Sequence, residues 1–139
     1  MAKVAIVGSR DYPRVEFVAH YVGTLHTSTT IISGGAAGPD TLACEAAARR
    51  GLPEPIVYRP DYKRYPVRFA PLHRNTDIAH ACDHMVAFWN WSFGTADVVD
   101  KAVRLGKHVQ VFGPTGEAIA AGEVVTWLRD QRAARKVNR

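Results

Sequence analysis

The sequence is 139 residues long, is 47% hydrophobic and carries a formal net charge of +5 at pH 7. This length fits one domain, so we expect a single domain over residues 1–139 with a basic tail at 129–139. The longest apolar runs are too short for a transmembrane helix, and the N-terminus lacks the pattern of a signal peptide. The two cysteines, Cys44 and Cys82, have no CxxC spacing and are expected to be reduced thiols. We therefore expect a cytoplasmic protein with no membrane partner.

Positive charge is concentrated in two segments. Residues 59–75 contain five cationic side chains and one carboxylate, and residues 129–139 have the same counts. Clustered positive charge favours an anionic partner. For the tail, a solvated helix end that frays is the alternative explanation.

The first half of the chain alternates strand and helix patterns. In chain order, the predicted elements are strand 4–7, helix 14–26, strand 29–33, helix 39–50 and strand 55–58. The first strand is a continuous apolar run that stops at Gly8, which is typical of a strand buried on both faces. The second helix is Ala-rich, opens with Pro39 and ends before Gly51, which are start and stop signals.

The second half continues the alternation after a loop. Pro60, Pro66 and Pro71 are expected to break regular structure in this loop. The elements predicted after it are helix 72–82, strand 85–88, helix 95–105, strand 108–112 and helix 123–132. This order favours βαβ units and a Rossmann-like, three-layer α/β fold with a mainly parallel sheet of about five strands. We predict the strand order 3-2-1-4-5.

The segments that follow the strands are expected to meet at one edge of the sheet, where ligands of open α/β folds bind. The turns around Gly34 and Gly94 lead directly into helices, which suits a phosphate. Arg10 and Arg74 are candidates for the fixed positive charge. The aromatic run 88–91, which includes Trp89, is a candidate for stacking on a base. Ala36 and Asp61 are expected at the same edge, Asp61 as a partner of ribose hydroxyls or as an acid or base.

Other chemistry finds little support in the residues. The chain lacks both GxGxxG and GxxxxGK[ST], so neither a dinucleotide dehydrogenase nor a P-loop NTPase is indicated. Ser9 has no obvious paired base. His80 and His84 have metal-ligand spacing, but the second begins a strand, so we expect no metal site. We predict no cofactor and name no catalytic residue.

Several motifs together resemble the SLOG superfamily, in particular its small YspA or YpsA-related branch. They are the segments 7–10, 33–40, 74–75, 83–88 and 94–95. The resemblance covers residues 3–112 and implies a Rossmann-like fold that binds nucleotides or nucleotide-derived ligands. Together with the reasoning above, it gives the predicted ligand site Gly8, Ser9, Arg10, Gly34, Gly35, Ala36, Gly38, Asp40, Asp61, Arg74, Asn75, Trp89, Gly94 and Thr95.

One departure concerns catalysis. Relatives in this superfamily include the Lonely Guy phosphoribohydrolases, whose PGGxGTxxE motif carries a glutamate that acts in cleaving the N-glycosidic bond. Val98 stands at the position of that glutamate. Asp97 is one residue earlier and therefore points about 100° away on a helix. The sequence leaves open whether the chain is an enzyme.

Three functions remain under consideration. The first is a binding or sensor module for a nucleotide-type small molecule, and the second is a nucleotide-metabolising hydrolase of the phosphoribohydrolase type. The third is binding of single-stranded nucleic acid, as in the DNA-processing protein A relatives, because aromatic residues interleave with the cations of segment 59–75. Ala-rich and Val-rich helix faces often pair with one another, so a homo-oligomer is a further alternative.

Overall fold

A computed structural model describes residues 2–137, with the side chain of Val137 excepted, so Arg139 of the predicted tail lies outside the described residues. It contains six strands and five helices. The elements are β1 (Lys3–Gly8), α1 (Val15–Gly23), β2 (Thr30–Ser33), α2 (Pro39–Arg50), β3 (Ile56–Val57), α3 (Ala70–Ala81), β4 (His84–Phe88), α4 (Phe93–Arg104), β5 (His108–Phe112), β6 (Ala118–Ile119) and α5 (Ala121–Val137).

The sheet has the order β3-β2-β1-β4-β5-β6, which confirms the predicted order of the first five strands. These five are parallel, and β6 pairs antiparallel with β5. The α/β fold with a mainly parallel sheet is therefore confirmed. The sixth strand was not predicted, because two residues are too few to show a periodicity.

The helices cover opposite faces of the sheet. Val4 and Ile6 of β1 pack with α1 and α2 in one buried cluster. Ala5 and Val7 of the same strand pack with α3, α4 and α5 in the other. Because the chain leaves β1 towards β2 and later returns to β4, the strand order reverses between β1 and β4. A crevice opens at such a switch point, at the carboxyl ends of the strands.

Except in α2, the helix boundaries differ from the predicted ones by one to five residues, and two of the differences have a clear physical cause. Pro71 was expected to break regular structure, but it lies in the first turn of α3, where the missing N–H of proline costs no intrahelical hydrogen bond. Helix α5 extends well beyond the predicted 123–132 and includes most of the basic tail. Arg132 stabilises this extension through ion pairs with Asp97 and Asp100 of α4.

None of the helices in the described part of the chain combines the length and apolarity required to cross a bilayer.

Candidate functional site

A cleft of about 340 Å³ lies at the switch point between β1 and β4. Its walls come from the segment after β1, the start of α2, the start of α3 and the start of α4. Nine of the predicted site residues line it, namely Gly8, Ser9, Arg10, Ala36, Asp40, Arg74, Asn75, Gly94 and Thr95. The topology thus brings together residues that are far apart in the sequence.

The start of α4 presents backbone donors to the cleft. The first intrahelical hydrogen bond runs from the amide of Ala96 to the carbonyl oxygen of Ser92 at 3.3 Å. The amides of Gly94 and Thr95 come before it and have no partner within the helix. Both residues line the cleft. Unpaired N–H groups and the helix dipole make this end of α4 suited to an anion.

Asp40 is the most perturbed acid of the cleft. Its side chain is 5% exposed, and its Oδ2 accepts a hydrogen bond of 2.9 Å from the amide of Gly34. Burial raises the pKa of Asp40 to about 6, and the Gly34 amide and the Arg74 guanidinium offset only part of this rise. The carboxyl group therefore exchanges a proton close to neutral pH.

This pKa predicts a pH-dependent stability. Because the folded state binds the Asp40 proton more tightly than the unfolded state, the contribution is present at low pH and is lost as pH rises through about 6. Between pH 5 and pH 8 it amounts to about 1.4 kcal/mol. We expect Asp40→Asn to remove this part of the pH dependence in urea unfolding experiments. An identical pH dependence in the variant and the parent would contradict the assignment.

Arg74 has a structural role in addition to its place in the cleft. Its guanidinium donates hydrogen bonds to the carbonyl oxygen of Gly34 at 2.6 Å and to Asn75 Oδ1 at 3.1 Å. Partial burial lowers the pKa of Arg74, although an arginine stays cationic throughout the physiological range. Arg10, in contrast, is exposed at the cleft. Arg10 is therefore the better position for testing ligand binding without changing the fold.

Three predicted glycines support the cleft without lining it. The backbone of Gly34 joins Asp40 to Arg74 through its amide and its carbonyl oxygen. Gly38 has φ 89°, and a Cβ at this position would lie 2.9 Å from the Arg10 carbonyl oxygen. Gly35 has φ 69°, and a Cβ at this position would lie 2.9 Å from Val57 Cγ1 at the end of β3. These glycines shape the turn between β2 and α2 and are not among the residues that line the cleft.

Asp61 is not among the residues that line the cleft, although the sequence predicted it in the ligand site. Its Oδ1 accepts hydrogen bonds from the backbone amides of Lys63 and Arg64, at 3.1 and 3.2 Å. This is the local turn that aspartate side chains commonly stabilise. Asp61 does follow β3, as predicted, but β3 is short and lies at the sheet edge, three strands away from β4.

Trp89 is also outside the cleft, so the expectation that it stacks on a base is not met. Its side chain is fully buried, and its indole N–H donates to the Ser92 carbonyl oxygen at 2.9 Å. The ring packs against Trp91 and Trp127, with centroid distances of 4.3 and 5.1 Å. The aromatic group therefore fixes α5 to the loop between β4 and α4.

Ser92 lines the cleft and was not singled out from the sequence. Its hydroxyl lies 2.6 Å from that of Ser9, and the Ser9 hydroxyl also accepts a hydrogen bond from the Asn90 amide. This pair joins the end of β1 to the loop before α4. In the sequence, the signal that could have identified Ser92 is its position two residues before Gly94, at the N-cap of α4.

The remaining wall of the cleft is apolar. It is formed by Val7, Pro71, Leu72, Ile78 and Val98. In the sequence these residues are indistinguishable from core residues, because their helical and strand spacing is that of any buried face. Asp11 adds a carboxylate at the exposed rim.

The side chains of Val98 and Asp97 point in different directions, as their adjacent positions on a helix predict. Val98 faces the cleft. Asp97 is 2% exposed and accepts hydrogen bonds from Asn75, Lys101 and Arg132. The Asp97 carboxylate is therefore occupied by structural partners.

Comparisons with known proteins support the fold. No family model matches the sequence, and no curated protein is significantly similar to it. The chain is similar to the X-ray structure of DNA processing protein A (DprA) from Streptococcus pneumoniae, with a TM-score of 0.68 and 24% identity. The similarity covers 81% of this chain and 50% of the DprA chain, so the present chain spans about half the length of that protein. The chain therefore has a DprA-like, Rossmann-like α/β fold.

Proposed function

We propose that the cleft binds a nucleotide or nucleotide-derived ligand through its phosphate group. The observation that carries this proposal is the convergence of the free amides of Gly94 and Thr95 with the exposed Arg10 around one cleft. A helix N-terminus favours a negative charge, and an arginine binds phosphate with two parallel hydrogen bonds. Each feature alone is common, but their meeting at the switch point of an α/β sheet is typical of a phosphate site.

The shape and lining of the cleft extend the argument beyond phosphate. A volume of about 340 Å³ falls within the range of small-molecule sites, which combine apolar walls with a few polar groups. The half-buried side chains of Pro71 and Leu72 offer an apolar surface for a sugar or a base. The half-buried hydroxyl of Ser92 offers a donor and an acceptor for ribose. The resemblance of residues 3–112 to SLOG proteins, and to the YspA-related branch in particular, supports the same class of ligand.

We favour binding over hydrolysis. The phosphoribohydrolase motif requires a carboxylate where this chain has Val98, and Asp97 is engaged with Lys101 and Arg132. The alternative, a hydrolase of this type, would use one of the two carboxylates that line the cleft, Asp11 or Asp40, and the raised pKa of Asp40 suits a general acid. Analysis of products after prolonged incubation with the bound ligand distinguishes the two.

The test is a thermal-shift screen against nucleoside monophosphates and nucleotide sugars. A ligand that binds only the folded state raises the melting temperature. We expect Arg10→Gln to weaken binding of the hit by about tenfold, the effect of losing one charge-assisted hydrogen bond. Arg49→Gln, an exposed arginine on α2 away from the cleft, is the matched control and should bind as the parent does. If no phosphorylated compound raises the melting temperature, the proposal is wrong.

Binding of single-stranded nucleic acid is a second candidate, supported by the loop before α3. Tyr62 and Phe69 are 57% and 46% exposed, beside the cations of the same loop. Exposed aromatic rings next to cations are the features that stack bases and contact a phosphate backbone. The structural neighbour is named as a DNA-processing protein, which agrees with this candidate. It predicts an affinity for oligonucleotides that falls steeply with salt and is reduced by Tyr62→Ala.

A further inference from the structure

A second cationic region lies in a groove between α4 and α5. The groove has a volume of about 340 Å³ and is lined by Arg104 of α4 and by Arg129, Arg132 and Lys136 of α5. None of these residues lines the cleft at the switch point. Asp100 is the acidic residue among those that line the groove. Because Arg132 also pairs with Asp97, two carboxylates offset the four cations, and the excess of two positive charges makes the groove an attractive place for an anion.

Two of the arginines are held in place by buried carboxylates. Arg104 Nε lies 3.1 Å from Asp100, which is 4% exposed. Arg132 reaches Asp97 at 3.0 Å through one terminal nitrogen and approaches Asp100 at 3.9 Å through the other. A guanidinium has five N–H donors, so each arginine keeps donors for a ligand after these contacts. The pairing of Arg132 with two carboxylates restricts its side chain, which reduces the entropy lost when an anion binds.

The other two cations are exposed and complete the groove. Within residues 2–137, neither Arg129 nor Lys136 forms an ion pair with a described residue. Positions 129, 132, 133 and 136 share one face of α5, since residues three, four and seven apart lie on the same side of a helix. The small side chain of Ala133 leaves space between the cations. A ligand would thus be approached by charges from both helices.

We propose that this groove binds the phosphate chain of a polyphosphate anion, such as a di- or triphosphate. Arginine forks match the geometry of phosphate oxygens, and the excess positive charge calls for a ligand with at least two negative charges. Arg129 and Lys136 are seven residues apart, which is about 10 Å along a helix, so a phosphate chain reaches both cations better than a single phosphate group does. Inorganic polyphosphate and the phosphate chain of a nucleoside triphosphate share the required chemistry.

The test is calorimetric titration of the whole chain with inorganic pyrophosphate and tripolyphosphate. We expect the double variant Arg129→Gln/Lys136→Gln to bind both at least about tenfold more weakly, through the loss of two charge-assisted contacts. The matched control is Lys3→Gln/Arg49→Gln, which removes one lysine and one arginine outside the groove and should bind as the parent does. Arg10→Gln is titrated in parallel, because it separates tripolyphosphate binding at the cleft from binding in the groove.

The remaining arms separate the sources of the ligand and the competing explanations. Equal affinities for tripolyphosphate and adenosine triphosphate, both lost in the double variant, indicate that the phosphate chain alone is recognised. If adenosine triphosphate binds much more tightly than tripolyphosphate and the double variant loses this binding, the source of the ligand is a nucleotide. Equal binding by the double variant and the control overturns the proposal, as does binding that only Arg10→Gln abolishes. An oligonucleotide that binds the groove when neither polyphosphate does would replace it with a nucleic-acid surface.

Discussion

Replacing Gly8 with alanine is expected to destabilise the fold by about 3 kcal/mol, a value typical of overpacking against atoms that cannot move away. A Cβ at this position would lie 2.5 Å from Pro39 Cγ and 2.7 Å from the Phe88 carbonyl oxygen. Gly8 ends β1 and pairs with Phe88 of β4, while Pro39 begins α2. Relief therefore requires α2 to separate from the sheet or β1 to separate from β4. The measurement is the free energy of unfolding in urea.

Gly94→Ala is the matched control for this experiment. No heavy atom lies within 4 Å of a Cβ at position 94, so the stability should change little. Because Gly94 lines the cleft, the added methyl group should instead weaken ligand binding. A Gly8→Ala variant as stable as the parent would show that β1 and α2 are not packed as described.

Replacing Asp97 with alanine is expected to cost about 3 kcal/mol of stability. Asp97 is 2% exposed and holds Lys101 Nζ at 2.7 Å and Arg132 at 3.0 Å. Removing one partner of such a network leaves the others without their hydrogen bonds, which costs several kcal/mol for buried pairs. The two cations are partly exposed, and water reduces the penalty towards the lower end of that range.

The exposed Asp130 of α5 provides the control, since Asp130→Ala removes the same charge and should have little effect. A double-mutant cycle of Asp97 and Arg132 isolates their coupling. Asp97→Ala should also weaken ligand binding, because Asp97 and the Gly94 carbonyl oxygen together orient the Asn75 amide at the cleft. Equal stability of Asp97→Ala and Asp130→Ala would refute the network.

The order of the five parallel strands could be predicted because strong local signals repeat along the chain. The apolar run before Gly8 and the Pro39 and Gly51 boundaries of α2 each depend on backbone rules that tertiary contacts seldom override. Right-handed crossovers then leave few arrangements of the strands. The same rules placed the segments after β1, β2 and β4 at one edge.

The deviations arise where tertiary contacts decide the structure. Strand β6 depends on the turn at Gly116, which has φ 83°, and on pairing with the end of β5. The extension of α5 depends on Arg132 meeting Asp97 and on Arg135 lying 4.3 Å from the ring centroid of Phe93. Neither partner is near in sequence, so helical periodicity alone predicted a shorter helix.

The candidate site was predicted best where backbone geometry determines it. Gly94 and Thr95 follow from the start of a helix after a strand, and Arg10 follows from the end of β1. Trp89 was misplaced because sequence position after a strand does not reveal which way a side chain points. A buried indole that donates to Ser92 and packs on Trp127 belongs to the core of the loop.

We propose that a phosphorylated ligand binds at the start of α4, and the most direct test of this binding is amide chemical-shift mapping by NMR. The probe is a nucleoside monophosphate that raises the melting temperature of the chain. We predict that the largest shifts fall on the amides of Gly94, Thr95 and Ala36, which line the cleft. Shifts confined to the loop 59–69, or to the groove between α4 and α5, with residues 94–95 unchanged, would contradict the account.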